Sequence, residues 1–309
     1  MMAAGLCALA ACGPMGLRSS PIPTVRPAVP VPAPMTRPFE PSETSRALRD
    51  FYGRIQQNYL TQGLLRVDGG GPDTPFTERQ LVENFIRIAL FEEFTNVGNQ
   101  LVRRETATRL HRWEGPIRMK LEFGASVPAA QRAKDTQAVA NYVARLARLT
   151  GLSITLTSKN PNYFVYFVNE DERMTIGPDL RAISADVDLA AVNTVQNMAR
   201  STLCLVFAVD GPVDGVYAKA ASVIRTEHPD LLRLSCIHEE LAQGLGLPND
   251  SPAARPSIFN DDEEFGLLTT HDEFLLRMLY DPRMRPGMTA TQARPVAEQI
   301  ARELLGGES

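Results

Sequence analysis

The 309-residue sequence lacks a cluster of basic residues. Its net charge is -4, and its lysines and arginines are scattered along the chain. Proteins that bind nucleic acid usually carry a basic face, because Lys and Arg neutralise the phosphates. The composition therefore predicts no nucleic-acid partner.

The apolar segment at the N-terminus is too short to be a transmembrane helix, which needs about 20 apolar residues. Residues 1–11 contain no charge and are rich in Ala and Leu, as in the apolar and cleavage regions of a secretory signal. The basic start of such a signal is missing, and a start codon placed a few residues upstream would supply it. We therefore predict a signal peptide over residues 1–11.

A processing site follows directly, because Leu9-Ala10-Ala11-Cys12 resembles the lipobox of bacterial lipoproteins. That resemblance implies cleavage before Cys12 and lipidation of its thiol, with the membrane as a partner through the lipid anchor. Gly13 argues against retention in the inner membrane, which favours the outer membrane of an exported, periplasm-facing protein. The alternatives are an ordinary signal with a chance cysteine, or a cytoplasmic tail.

Residues 12–42 are crowded with proline and contain few large apolar side chains. Such a composition is typical of a semi-rigid polyproline spacer, which would hold a folded domain away from the membrane. A featureless disordered tail would have the same composition. Residues 43–309 are predicted to form one folded domain.

Cysteine is scarce, with four residues in the whole sequence. Removal of the signal and lipidation of Cys12 leave Cys204 and Cys236. An oxidising periplasm would allow these two to form a disulfide. The alternative is a pair of buried thiols that act as small apolar side chains.

Periodicity predicts helices and strands in mixed order and hence a single α+β domain. Thr77 and Gln80 form a capping-box pair at the start of one helix, Gly151 ends another, and a third runs from Pro229 to Gly246. The predicted strands are 116–124, 152–157, 163–168, 201–209 and 217–224. The segment 201–209 is continuously apolar and is expected to be a buried strand.

Histidine is also scarce, and none of the four residues lies near another in sequence. His238-Glu239 begins like the His-Glu-x-x-His motif of zinc proteases, but Ala242 stands where the second histidine should be. No catalytic triad has a recognisable local signature. The sequence therefore contains no ordinary zinc-protease motif.

A shift by one residue restores the spacing of that motif with different residue types. Glu239, Glu240 and Gln243 then take its three roles, and Gly246 and Asn249 fall where the longer metzincin motif has its glycine and third ligand. Side chains at i and i+4 share a helix face and can grip one metal, while the carboxylate at i+1 can act as general base. The helix is thus the candidate functional segment.

Further segments resemble metzincin-like proteins. Ser257-Ile258-Phe259-Asn260 resembles the Ser-Ile-Met-Asn turn below the metal, and Leu268-Thr269-Thr270-His271-Asp272 resembles the Leu-(Ser/Thr)-x-x-Asp helix that closes such domains. Trp113 to Arg118 and Thr150 to Leu152 resemble early strands of bacterial zincins. The resemblance covers about two thirds of the chain and implies a zincin-like fold with a mixed sheet.

The whole chain also resembles an uncharacterised proteobacterial domain family of lipoproteins of unknown function. In that family a Glu-Glu-Leu-x-Gln-x-Leu-Gly-Leu-x-Asn-Asp segment replaces the zinc motif, as residues 239–250 do here. This resemblance implies a fold without implying an activity.

The substituted ligands change the expected chemistry. Glu239, Gln243 and Asn249 present oxygens, which suit calcium, magnesium or manganese better than zinc. We therefore predict either no cofactor or a divalent cation on these three residues, with Glu240 as general base. The alternative is a polar helix face that is hydrogen-bonded or solvated, and the acidic run 261–264 is interpreted as a solvated loop.

Three functions remain open at this point. The leading prediction is a metallopeptidase-like, non-catalytic module that binds a peptide or an envelope protein in a groove. The second is an atypical metal-dependent hydrolase that uses Glu240 as its base. The third is a structural envelope lipoprotein that acts through exposed apolar surface and uses no cleft.

Overall fold

A computed structural model describes residues 39–98 and 100–306 of the chain. The predicted signal segment, the lipidation site Cys12 and residues 13–38 of the predicted linker lie outside the described residues. The described residues from Phe39 onward form one compact unit. Within the described part of the chain, no helix is both long enough and apolar enough to cross a bilayer.

The described residues form helices at the predicted segments and at several others. Those of the described residues are α1 (Glu43–Thr61), α2 (Glu78–Ala89), α3 (Ala129–Thr150), α4 (Glu170–Arg173), α5 (Gly177–Ile183), α6 (Leu189–Gln196), α7 (Asp230–Gln243), α8 (Thr270–Leu279) and α9 (Ala290–Gly306). The Thr77 hydroxyl accepts from the Gln80 N–H, and the Gln80 side chain accepts from the Thr77 N–H at 2.9 Å. Gly151 ends α3 with a φ of 73°. The predicted cap and stop are both confirmed.

The strands of the described chain form a hairpin and a five-stranded sheet. The hairpin consists of β1 (Phe91–Val97) and β2 (Gln100–Ala107), and the sheet of β3 (Ile117–Phe123), β4 (Ile154–Leu156), β5 (Tyr163–Val168), β6 (Cys204–Asp210) and β7 (Tyr217–Arg225). The sheet order is β4-β3-β5-β7-β6, with β6 antiparallel to β7 and the other pairs parallel. The mixed α+β class is thus confirmed.

Helices cover both faces of the sheet, because side chains alternate between the faces of each strand. On β5, Val165 and Phe167 belong to the large core that includes α2, α3, α7, α8 and α9. Tyr166 and Val168 belong to a smaller core with α5 and α6. Burial on both faces explains why β5 is apolar along its whole length.

β6 is the edge strand of this sheet. Cys204 and Leu205 are buried, whereas the remaining residues of β6 are only half-buried. The prediction that this segment is a buried strand is therefore wrong for most of its length. Among the described strands β6 has a neighbour, β7, at one edge only, although its side chains pack against the cores on both faces of the sheet.

The backbone of the helix α7 lies directly against the Tyr163 side chain of the sheet. The Tyr163 hydroxyl donates to the Glu240 carbonyl at 3.1 Å. A Cβ on Gly244 would lie 2.1 Å from that same hydroxyl oxygen, so this contact requires glycine. The helix ends at Gln243, earlier than the predicted stop at Gly246, whose φ of 121° turns the chain away.

Candidate functional site

A groove of about 410 Å³ lies between the edge strand β6, the helix α7 and the hairpin β1–β2. It is lined by residues 201–208 and Tyr217 of the sheet, by Glu239, Glu240, Gln243 and Gly244 of α7, by Glu93, Phe94 and Arg103 of the hairpin, and by the loop residues Pro248, Asp250, Asp261 and Glu263. The groove thus contains three of the four residues predicted for metal binding and catalysis.

The structure brings the carboxylates of Glu239 and Glu240 together beside Cys204. One ligand atom from each residue lies within 4.8 Å of the other two. Cys204 is bonded to Cys236, with a Cα–Cα distance of 5.9 Å, so its sulfur is not a thiolate. The predicted disulfide is confirmed, the free-thiol alternative is wrong, and two carboxylates remain as the convergent pair.

Glu240 is buried in the floor of the groove without a side-chain partner. Its exposure is 3%, and its Oε2 has no hydrogen bond to any described residue. Buried polar atoms are nearly always paired, because an unpaired one loses its water without compensation. An unpaired carboxylate oxygen at this position points to a ligand that would complete it.

Asn249 does not join the other predicted ligands. Its side chain donates to the Arg87 carbonyl at 2.9 Å, and its N–H donates to the Ile88 carbonyl at 3.2 Å. It is therefore fastened to the end of α2 and does not line the groove. The next residue, Asp250, lines the groove instead and accepts a hydrogen bond of 3.1 Å from the Gln243 amide.

Four further charged residues of the groove were not predicted as part of a site. Glu93 and Arg103 come from the hairpin, and Asp261 and Glu263 come from the acidic run interpreted as a solvated loop. That interpretation holds for the exposed Asp262 but not for Glu263, which is half-buried in the groove wall. The only local signal is the density of acids around Glu263 itself.

The carboxylates of the groove are named here the acid cluster, which comprises Glu93, Glu239, Glu240, Asp250, Asp261 and Glu263. Burial, followed by repulsion from neighbouring carboxylates, raises the pKa of Glu93 to about 8 and those of Asp250 and Glu263 to about 7. The same causes raise the pKa values of Glu239 and Glu240 well above the ordinary value. These five carboxyl groups therefore tend to hold protons at neutral pH unless a cation replaces them.

Among the described residues that line the groove, Arg103 carries the one basic side chain. Its Nε lies 2.9 Å from Glu93 Oε1, and its Nη2 lies 3.9 Å from Asp250 Oδ2 and also contacts Asp261. These contacts place the positive charge of Arg103 at the outer half of the acid cluster. Glu239 and Glu240, on α7, form no ion pair with Arg103.

His238 is turned away from the groove. Its Nδ1 accepts from the Leu268 N–H at 3.1 Å, and its ring stacks on Tyr142 at 3.9 Å between centroids. Burial lowers its pKa to about 3. The residue therefore acts as a neutral structural acceptor, and it is not a member of the candidate site.

The turn that resembles the Ser-Ile-Met-Asn segment is tied to α8 by one buried carboxylate. Asp272 accepts hydrogen bonds from the Ser257 hydroxyl and the Ile258 N–H, and also from the N–H and hydroxyl of Thr269. Asp272 is fully buried, so these donors replace the water that would otherwise solvate its carboxylate. The two segments that carry the zincin resemblance thus contact one another directly.

Comparison with known proteins places the chain in a family. No curated protein and no solved structure matches it significantly. The family model described as "Protein of unknown function (DUF2927)" matches residues 78–299, which is more than two thirds of the chain. The match contains the hairpin, the sheet, α7 and the acid cluster, and leaves α1 outside. The chain therefore belongs to the DUF2927 family.

Proposed function

We propose that this chain is an envelope lipoprotein whose groove binds an extended polypeptide segment without cleaving it. The observation that carries the proposal is the position of β6, an edge strand whose residues Cys204 to Ala208 form one wall of the groove. In the described chain no other strand pairs with its outer edge. Unpaired N–H and C=O groups of an edge strand can pair with an added strand, which gives affinity through main-chain hydrogen bonds.

The side chains opposite β6 do not fit a zinc centre. Zinc in proteins is usually held by imidazole and thiolate, and no histidine lines the groove among the described residues. Cys204 is committed to its disulfide, and Asn249 faces α2. A peptidase-like groove with such a donor set supports binding in preference to zinc-dependent hydrolysis.

The zincin-like fold is part of this proposal. It is supported by the edge strand antiparallel to its neighbour, by α7 beside it, and by the contact of Asp272 with the turn at Ser257. Under this proposal α7 would correspond to the active-site helix of a zincin. Its carboxylates then become part of a binding surface.

Export and lipid anchoring are proposed from Leu9-Ala10-Ala11-Cys12 and from the disulfide. Disulfides persist in the periplasm and are rare in the reducing cytosol, so the bridge between Cys204 and Cys236 fits an exported domain. In cells labelled with radioactive palmitate, we expect the full chain to incorporate label and Cys12→Ser to incorporate none. Cys7→Ser is the matched control and should be labelled normally. Equal labelling of the Cys12 variant would contradict the anchor.

Peptide binding is tested by presenting the protein to an immobilised array of random nonapeptides. The strongest peptide is then added in solution, and amide hydrogen exchange is followed in β6. We expect exchange within residues 204–210 to slow by about tenfold or more, because edge amides gain hydrogen-bond partners. The same peptide N-methylated at alternate residues should lose this protection. Binding that protects no amide of β6 would overturn the proposed mode.

An atypical metal-dependent hydrolase is the second candidate, favoured by the unpaired Oε2 of Glu240 beside Glu239. In this candidate Glu239 and Gln243 would hold a hard cation, and Glu240 would act as general base. Elemental mass spectrometry of protein purified without chelators should then find near-stoichiometric metal that disappears in Glu239→Ala. Turnover of any substrate should vanish in Glu240→Gln, which keeps the shape and removes the base. Metal-free, folded protein would leave the binding module.

A further inference from the structure

We propose that the acid cluster recognises an arginine side chain of the bound peptide. This inference rests on the proposed function, because it names the ligand chemistry of the same groove. The peptide backbone would pair with β6, and the guanidinium would reach the carboxylates of Glu239 and Glu240 on α7.

Charge is the first argument. Six carboxylates line the groove, and Arg103 is the single basic side chain among its described lining residues. Arg103 contacts Glu93, Asp250 and Asp261 at the outer side of the cluster. The inner pair on α7 is left without a positive partner. A cationic ligand therefore complements the part of the groove that the protein does not neutralise itself.

Glu240 supplies the second, independent argument. Its side chain is 97% buried, lines the groove, and has an Oε2 without a hydrogen-bond partner among the described residues. Its neighbour Glu239 lies close enough for both carboxylates to meet one group, since their ligand atoms are within 4.8 Å. A buried acceptor of this kind is completed by a ligand that brings N–H donors.

The arrangement fits a guanidinium better than a metal ion. Calcium takes six to eight oxygens around one point. In the described chain only Glu239 and Glu240 bring carboxylates within 4.8 Å of each other at the potential metal site, and Cys204 is the third member. The other acids are spread along the groove. A guanidinium spreads five N–H donors over a planar fork and is weakly hydrated, so it can serve separated carboxylates at low desolvation cost.

Arg103 shows that the same cluster accepts a guanidinium. Its Nε and Nη2 approach carboxylates from three different segments, which are β1, the loop after α7 and the acidic loop. Its side chain is 57% exposed and so covers only the mouth of the groove. An arginine delivered by a peptide along β6 would lie deeper, against α7.

The test uses arrays of nonapeptides that are random except for a fixed central residue. Four sets carry arginine, citrulline, lysine or glutamate, and citrulline matches arginine in shape without its charge. We expect the arginine set to capture about 30-fold more protein than the citrulline set, as for truncation of a buried charge pair. In Glu240→Gln and in Glu239→Gln this ratio should fall to near one. Glu298→Gln, on α9 outside the groove, should retain it.

Each outcome decides one of the two proposals. If peptides protect β6 from exchange but the arginine and citrulline sets bind equally, the arginine inference fails and the peptide-binding function stands. If lysine equals arginine, the recognition of the planar fork is wrong. If no set binds, both proposals fail. Urea unfolding first establishes that Glu239→Gln and Glu240→Gln are folded. A lost preference for arginine in a folded variant then reflects the missing carboxylate.

Discussion

Replacement of Asp250 by asparagine should make the folded protein more stable at pH 8, although it removes a charged residue from the candidate site. Burial and the neighbouring Asp261 raise the pKa of Asp250 from 3.8 to about 7. Unfolded chains ionise this residue near 3.8, so between these two values the native state binds more protons than the unfolded state. Linkage then requires the wild-type protein to lose stability as pH rises through this window.

The magnitude follows from the width of that window. The folded and unfolded pKa values of Asp250 differ by about three units, and each unit corresponds to ~1.4 kcal/mol. Above pH 7 this difference lowers the free energy of unfolding of the wild-type protein by about 4 kcal/mol. Asp250 is 10% exposed, and relaxation of the groove reduces the effect, so we expect Asp250→Asn to raise the free energy of unfolding by about 2 to 4 kcal/mol at pH 8. The asparagine Oδ1 can keep the hydrogen bond from Gln243. Below pH 4 the difference should vanish.

Urea unfolding at pH 4, 6 and 8 measures this difference directly. Asp281→Asn is the matched control, because the hydrogen bond from Arg283 lowers the pKa of Asp281. The ionised Asp281 side chain stabilises the folded protein at pH values above its unfolded pKa, and this stabilisation is lost as the pH falls. The Asp281→Asn variant should therefore be less stable than the wild type at pH 8. An Asp250→Asn variant that is destabilised at pH 8 would refute the account of Asp250 as a buried carboxyl group whose pKa is raised in the folded protein.

Three further outcomes are expected. Replacing both Cys204 and Cys236 by alanine, or reducing the bridge, should lower the free energy of unfolding by about 3 to 4 kcal/mol from loop entropy, and an unchanged urea midpoint would contradict this. Asp272→Ala should lower the free energy of unfolding, measured by urea titration, by about 3 kcal/mol or more, because it leaves four buried hydrogen bonds without their acceptor. A decrease below about 1 kcal/mol would argue against the importance of this network. Burial lowers the pKa of His238 to about 3, whereas the unfolded chain binds this proton from pH 6.5 downward, so the stability of the wild-type protein falls as the pH is lowered. Between pH 7 and 4, the His238→Leu variant should lose about 3 kcal/mol less of its free energy of unfolding than the wild type. Parallel pH profiles of the two proteins would exclude this mechanism.

Elements with strong local signals were predicted from the sequence, and elements that depend on distant partners were not. The stripe and caps of α2 and the stop of α3 rest on residues a few positions apart. The hairpin β1–β2 was missed because it pairs only with itself in the described chain, exposes most of its side chains and so shows no apolar alternation. The short helices α4, α5 and α6 lack the length that periodicity requires.

The candidate site divides in the same way. Helical spacing was sufficient to predict that Glu239, Glu240 and Gln243 share a face. The spacing of the metzincin motif, which suggested Asn249 as a third ligand, did not predict its position, because the contacts with α2 turn Asn249 away and leave Asp250 in the groove. Proximity of the two cysteines could be proposed from the sequence, but only the fold established their bond.

By itself the sequence determined the helix that carries the acids and the residue types it presents, because helix geometry depends on neighbours within a few positions. Only the tertiary structure decided that Glu93, from a hairpin more than a hundred residues earlier, and Glu263, from a loop, would face that helix. Burial and repulsion among charges from separate segments are properties of the assembled groove. Burial and repulsion make these otherwise ordinary carboxylates a site that favours a bound cation.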